Sequence, residues 1–309
     1  MRHVHLLPLL LLVLFPGGVE SQEPSFDGLW ETSFGRMRLV VDGDRAAGRY
    51  QLSGGSTLEG TVEGRRFAFR YVEPAVRGEG WFERTEDGGS FAGSWRADGS
   101  EEWLEWTGRR VVPEPGVSWL VVFEASWEEG LLGPDYSFGS MLGAFFARHR
   151  RVKVRHRRFG DAAGFSRFAI ELAYLAEPVA LVVAAHGDAR GVLAGPDTIG
   201  AAQVGKDLAG APGVFLVHFS SCGVLAGEFA AEVFDALPSG RGLALSGYAS
   251  NVDWSASALL EMAYLDLVLG RGLAPSDAAA LVKSEFAFAG DEGVPGSPFG
   301  ASRFRFASR

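Results

Sequence analysis

Val214-Phe-Leu-Val-His-Phe-Ser-Ser-Cys222-Gly223 is one of two apolar runs on which the predicted architecture depends; the other is Ala180-Leu-Val-Val-Ala-Ala-His186-Gly187. Each run is nearly continuous in apolar residues and then ends in a reactive polar side chain. Such runs are typical of parallel strands that are buried on both faces. We therefore predict two buried parallel strands, consecutive strands of the sheet and neighbours in it, with His186 and Cys222 at their carboxyl ends.

Strand-like and helix-like patterns alternate throughout the second part of the chain, from residue 119 to the end. The predicted strands are Trp119–Glu124, Val152–Val154, Leu181–Ala185, Val214–Phe219 and Gly242–Gly247. The predicted helices are Tyr136–Arg148, Phe165–Leu175, Thr198–Ala209, Leu225–Leu237, Ser257–Leu269 and Pro275–Phe286. This order predicts an α/β domain over 119–309, a mostly parallel sheet with helices on both faces. Ligands of such sheets bind beyond the carboxyl ends of the strands.

The first part of the chain, 25–110, has a different pattern. Short segments with alternating apolar and polar residues are separated by glycine and aspartate turns, which predicts a small all-β domain, either an antiparallel barrel or a sandwich. Five of its aromatic residues are interpreted as core and rim packing rather than a ligand cage: Trp30, Trp81, Trp95, Trp103 and Trp106. The proline-rich stretch 111–118 is the predicted linker.

The amino terminus has the features of a secretory signal. Arg2 precedes a leucine-rich core, Leu6–Phe15, which is too short to cross a bilayer, and small residues follow up to Ser21. We therefore expect a signal peptide over 1–21 and a secreted or periplasmic protein, with no integral membrane segment once the signal is removed. An uncleaved amino-terminal anchor is the alternative.

The overall charge argues against nucleic acid as a partner. The formal net charge is -9, whereas phosphate binding requires a basic surface. The basic run Arg148–Arg158 is the exception, and it is either a solvated edge or a patch for an acidic partner. No metal or other cofactor is expected, because the histidines and the single cysteine lack ligand spacing.

The pairing of Cys222 with His186 suggests nucleophilic catalysis. A thiol becomes strongly nucleophilic when an imidazole or a helix amino terminus favours its ionised form, and the imidazole then protonates the leaving group. The helix predicted after Cys222 would supply such a terminus. The backbone N–H groups of Gly187 and Cys222 are candidate donors to the oxygen that becomes negative during attack on an amide.

Ala184-Ala185-His186-Gly187 followed by Ser220-Ser221-Cys222-Gly223 resembles the caspase–hemoglobinase class of cysteine peptidases, which includes caspases, legumain, clostripain, gingipain and CHAT-type bacterial domains. The resemblance covers about residues 118–290. It rests on the order of a strand ending in His-Gly and a later strand ending in Cys. The caspase signature Gln-Ala-Cys-x-Gly is absent, which favours a divergent bacterial member and leaves the cleavage specificity open.

The resemblance implies a cysteine endopeptidase that acts on a peptide or protein substrate. Cys222 would be the nucleophile and His186 the acid–base, while Asp253 and Trp254 occupy the place where this class builds a substrate pocket. Asp253 would select a basic residue there, or it is instead a helix N-cap.

Other interpretations of the same residues stay open. His186 and Cys222 are packing residues if the domain is an inactive peptidase-like scaffold. His218 shares a strand face with Cys222 and is the competing histidine, interpreted as a hydrogen-bonded core residue. The chain is alternatively an exported binding protein whose β domain recognises a partner.

Overall fold

The computed structural model describes residues 24–52, 55–127, 132, 136–295 and 297–309. The predicted signal peptide lies outside these residues. None of the helices within the described part of the chain has the length and apolar character needed to span a bilayer.

The first domain is a closed antiparallel barrel of eight strands in sequential order. Its strands are β1 Gly28–Thr32, β2 Gly35–Asp42, β3 Arg45–Tyr50, β4 Ser56–Glu63, β5 Arg66–Val72, β6 Arg77–Arg84, β7 Ser90–Ala97 and β8 Leu104–Arg110. The barrel closes where β1 pairs with β8. Of the two forms that the period-2 pattern allowed, the chain adopts the barrel.

Aromatic side chains fill the interior of the barrel. Trp30, Tyr50, Phe67, Phe82 and Trp106 are all at most 2% exposed. The ring centroids of Phe82 and Phe91 lie 4.1 Å apart, and those of Phe82 and Trp106 lie 5.1 Å apart. Packed rings thus occupy the space that a lipocalin-like barrel would give to a ligand.

Not all of the barrel's tryptophans are core residues. Trp30 and Trp106 are buried, whereas Trp103 is exposed beneath the guanidinium of Arg96. Trp81 lies under Arg66 in the same way. The predicted packing role therefore holds for the interior rings, and the outer rings stack with arginines.

The second domain is built on a six-stranded sheet with the order β10-β9-β11-β15-β16-β17. These strands are β9 Ser118–Ala125, β10 Val152–Phe159, β11 Val179–Ala184, β15 Val214–Ser220, β16 Ala244–Tyr248 and β17 Phe304–Ser308. All neighbouring strands are parallel except β16 and β17. The sheet is thus mixed, with an antiparallel strand at one edge.

Helices cover both faces of this sheet. They are α1 Phe138–Phe146, α2 Ala162–Glu171, α3 Ala201–Leu208, α4 Phe229–Asp235, α5 Trp254–Leu265 and α6 Pro275–Glu285. One hydrophobic core lies between the sheet and α2, α3 and α4, and the other lies between the sheet and α1, α5 and α6. Residues of β11 alternate between the two cores, which explains why its sequence is apolar throughout.

Several predicted boundaries are wrong. A small three-stranded sheet, β12 Gly187–Asp188, β13 Gly191–Ala194 and β14 Asp197–Ile199, occupies the segment after His186. Its last strand takes residues that were predicted to begin a helix. The helix expected directly after Cys222 begins only at Phe229, because a turn over 221–226 intervenes.

Candidate active site

The strands that end near His186 and Cys222 are direct neighbours in the sheet. β11 and β15 pair in parallel, and Ala184 lies opposite Ser220. The two reactive side chains therefore lie at the same end of the sheet, the carboxyl end of its parallel strands. Both line one open cavity of about 450 Å³ beyond the carboxyl ends of the strands. This is the place where parallel sheets bind ligands.

A glycine permits the close approach of these two strand ends. A Cβ atom added to Gly187 would lie 3.0 Å from the carbonyl oxygen of Cys222 and 2.8 Å from a methyl carbon of Val224. Any larger residue would therefore push the His186 segment away from the Cys222 turn. In that turn Gly223 has a φ of +67°, and its N–H donates to the carbonyl of Ser250 at 3.0 Å. The backbone thus places the Gly187 and Cys222 segments side by side.

His186 is held by a backbone carbonyl. Its Nε2 lies 3.0 Å from the carbonyl oxygen of Trp127, and the two rings meet edge to face with centroids 5.4 Å apart. A carbonyl oxygen can only accept a hydrogen bond, so this contact requires a proton on Nε2. In neutral His186 the lone pair is then on Nδ1, which is the nitrogen able to take a proton.

The Cys222 thiol contacts the backbone of the loop after β16. The N–H of Val252 donates to Sγ at 3.4 Å, and Sγ lies 3.9 Å from the Val252 carbonyl oxygen. The residue is partly exposed. Partial exposure leaves the thiol open to reagents.

The walls of the cavity are mostly aromatic and aliphatic. Trp127, Tyr136, Phe138, Val252 and Trp254 contribute to the lining, with the serines 220, 221 and 257 between them. Trp254 is 46% exposed and meets Phe138 edge to face. The predicted wall residue Trp254 is therefore at the cavity.

Asp253 does not line the cavity. Its carboxylate accepts the N–H groups of Ser255 at 2.9 Å and Ala256 at 3.0 Å, and so caps the amino terminus of α5. The side chain therefore adopts the helix-cap alternative that the sequence allowed. Among the described residues of the lining, none is a carboxylate.

The competing histidine, His218, is sealed in the core. It is fully buried, and its Nδ1 lies 2.9 Å from Oγ of Ser246 while Nε2 lies 3.3 Å from the buried carboxylate of Glu261. The hydroxyl of Tyr248 donates to the same carboxylate at 2.9 Å. Burial, reinforced by Glu261, raises the pKa of Tyr248 well above its usual range. This cluster keeps its hydrogen bonds inside the core and does not line the cavity.

Sequence reasoning missed Trp127, which contacts His186, and two further residues of the cavity wall, Tyr136 and Phe138. It also missed Glu124, which accepts the indole N–H of Trp127. In the sequence, Glu124 is a polar residue at the end of an apolar run. The same pattern singled out His186 and Cys222, so it could also have identified Glu124. No group of at least three histidine, cysteine, aspartate or glutamate side chains suited to a metal occurs in the described ranges.

Comparison with known proteins gives little further guidance. No family model matches the chain, and no curated protein matches it. A crystal structure of caspase-1 from Spodoptera frugiperda is similar over 62% of this chain and 85% of that chain, with 14% identity and a TM-score of 0.39. A likeness of this size identifies neither family nor activity.

Proposed function

We propose that the protein is a secreted cysteine endopeptidase of the caspase–hemoglobinase type. The proposal rests on one observation. His186 and Cys222 follow adjacent parallel strands, and both line the same open cavity. Secretion is included because of the signal-like sequence of residues 1–21. The order of His-Gly and Cys motifs supports the choice of class.

The proposed reaction begins with a proton transfer. Nδ1 of His186 takes the proton of the Cys222 thiol, and the resulting thiolate attacks the carbonyl carbon of the peptide bond. The carbonyl oxygen becomes negative and accepts hydrogen bonds from the N–H groups of Gly187 and Cys222. The imidazolium returns its proton to the leaving amine as the C–N bond breaks. Water then hydrolyses the thioester and regenerates the free thiol.

The carbonyl of Trp127 suits this role of His186. A hydrogen bond from Nε2–H to a carbonyl stabilises the imidazolium that forms when Nδ1 takes a proton. It also fixes the ring plane, so that the proton acceptor does not rotate away.

The aromatic walls favour an apolar side chain next to the scissile bond. Trp127, Phe138 and Trp254 offer ring faces and edges, while the Asp253 carboxylate is occupied by the start of α5. A basic side chain would find no carboxylate among the described lining residues. We therefore propose that Trp254 contributes to substrate binding and that Asp253 supports it indirectly through the helix cap.

A panel of fluorogenic peptides tests the proposal. The full chain is assayed with reporters that carry phenylalanine, leucine, arginine or aspartate before the leaving group. Turnover is expected to be fastest with phenylalanine or leucine and to be lost in both Cys222→Ala and His186→Ala. His149→Ala is the matched control, since His149 is a partly exposed histidine paired with Asp266 outside the cavity.

Two results would contradict the proposal. Turnover that persists in Cys222→Ala would show that another group performs the reaction. A folded wild-type chain that cleaves no reporter and no unfolded protein substrate would instead favour the inactive scaffold or the exported binding protein.

A further inference from the structure

Glu124 is a buried carboxylate at the carboxyl end of β9 that the proposed reaction does not use. It is 1% exposed, and four hydrogen bonds and one close imidazole nitrogen surround it. The contacts are with Trp127 Nε1 at 2.7 Å, Ser137 Oγ at 2.8 Å, the Phe138 N–H at 2.6 Å, the Gly139 N–H at 3.2 Å and His156 Nε2 at 2.6 Å. Burying a charged group requires partners of this number and strength.

These contacts hold two separate pieces of the cavity wall. Oε1 binds the Trp127 indole and the Phe138 backbone, and both residues line the cavity. Oε2 binds the backbone of Gly139 and the hydroxyl of Ser137, the N-cap of α1. The negative charge therefore lies at the amino terminus of α1, where the helix dipole stabilises it. One carboxylate thus fixes Trp127 and the start of α1 relative to each other.

The contact with Trp127 connects Glu124 to His186. The indole N–H binds Glu124, while the carbonyl oxygen of the same residue lies 3.0 Å from Nε2 of His186. The indole that Glu124 holds also packs edge to face against the imidazole of His186, with ring centroids 5.4 Å apart. The orientation of the imidazole ring therefore depends on the carboxylate of Glu124.

We propose that Glu124 is a positioning residue for the Cys222–His186 pair, acting through Trp127. It holds the carbonyl that orients His186 without itself touching the substrate. The inference rests on the proposed function, which gives the positioning of His186 its purpose. It also predicts the reactivity of the Cys222 thiol, and this reactivity can be measured without peptide turnover. Misplacing a reacting group by about 1 Å can lower a rate by roughly a hundredfold.

The amino end of the same sheet offers a matched control. Glu177 is also buried and accepts the indole N–H of Trp119 at 2.8 Å, and Lys153 pairs with it at 3.0 Å. The chemistry of this carboxylate and indole is the same, but neither residue lines the cavity. Substitutions of Glu177 or Trp119 therefore measure the stability that is lost with a hydrogen bond of this kind, without altering the cavity.

The experiment is alkylation of Cys222, the only cysteine of the chain, by iodoacetamide across the range from acid to alkaline pH. The variants are Glu124→Ala, Trp127→Phe and their double, compared with Glu177→Ala and Trp119→Phe. We expect Glu124→Ala and Trp127→Phe to slow alkylation near neutral pH by roughly 10- to 100-fold and to move the midpoint of the pH profile upward. The double variant should be no slower than Glu124→Ala, since both remove one interaction.

The two control variants should lower the melting temperature and leave the alkylation profile as in the wild type. A wild-type profile in folded Trp127→Phe would overturn the inference, and so would equal effects of Trp127→Phe and Trp119→Phe. Trp127→Phe keeps an aromatic ring and the backbone carbonyl while it removes the indole N–H, so the test stands even where Glu124→Ala does not fold. A chain that alkylates as expected but cleaves no peptide would reject the proposed function and leave the positioning role intact.

Discussion

Polar side chains have different surroundings at the two ends of the six-stranded sheet. At the amino end, Lys153 bridges Glu177 and the linker residue Glu114 at 3.0 and 2.9 Å. Arg36 and Arg38 of the barrel reach this end and donate to backbone carbonyls of residues 173–175. These charges all have partners, and the barrel and linker are fastened to the sheet through them.

The carboxyl end instead leaves reactive groups facing solvent. His186 is exposed and Cys222 is partly exposed, and the side chains of both contact backbone groups, those of Trp127 and Val252. Glu124 is the buried counterpart of Glu177 at this end, but its contacts support the cavity wall. The comparison indicates that similar buried carboxylates stabilise the domain assembly at one end and organise a site at the other.

Gly187→Ala should have the largest effect, at the carboxyl end of the sheet's parallel strands. The added methyl group would lie 2.8 Å from Val224 and 3.0 Å from the Cys222 carbonyl oxygen, so the strand ends must separate. Overpacking of this kind costs about 1–3 kcal/mol of unfolding free energy. Urea unfolding measures this loss of free energy, and the rate at which Cys222 is alkylated should change in the same variant.

Gly143→Ala is the control for that substitution. Gly143 lies within α1, and a Cβ atom there meets nothing within 4 Å. Replacing a helical glycine by alanine stabilises by roughly 0.5–1 kcal/mol. Equal destabilisation by both substitutions would contradict the close approach at Gly187.

Asp253→Ala should have a smaller effect, which separates a helix cap from a substrate contact. Loss of the two hydrogen bonds to Ser255 and Ala256 should lower the unfolding free energy by about 1 kcal/mol. Asp253→Asn retains the cap and removes the charge, so its stability should stay near that of the wild type. If Asp253→Asn also reverses the order of the arginine and phenylalanine reporters, Asp253 binds the substrate and the cap is incidental.

The smallest effect is expected at the amino end, in the acid stability of the protein. Burial alone would raise the pKa of Glu177, but the hydrogen bonds from Lys153 and Trp119 outweigh it and hold the pKa at about 2 rather than 4.5. Because the folded state binds this proton less readily, the ionised carboxylate stabilises the fold above pH 4.5, and this contribution is lost as the pH falls toward 2. Thermal unfolding should therefore show a smaller loss between pH 5 and 2 in Glu177→Gln than in the wild type. Parallel curves would contradict the assignment.

The sequence predicted the parts of the fold that depend on strong local patterns. The uninterrupted apolar runs placed β11 and β15 correctly, and the glycine turns indicated the antiparallel β domain. The small three-stranded sheet after His186 and the edge strand β17 were not predicted, because short strands of mixed polarity have no distinctive period. The parallel pairing of β11 with β15 agrees with the prediction that these two strands are neighbours.

The sequence indicated the two reactive residues of the site and one residue of its wall, Trp254. A polar residue at the end of a buried strand is visible in one dimension, and that sufficed for His186 and Cys222. The carbonyl of Trp127 could not be predicted, since every residue has one and only the folded chain selects among them. The helix expected after Cys222 was placed too early because the turn over 221–226 has an apolar composition similar to that of a helix start.

The edge-to-face packing of Trp127 on His186 gives the protein an internal optical probe. The rings lie 5.4 Å apart at 82°, so the fluorescence of this indole should respond when the imidazole gains a proton. The chain has eight tryptophans, so the contribution of Trp127 is the difference in emission between the wild type and Trp127→Phe over the same titration. That difference follows the charge state of the histidine in the unlabelled protein.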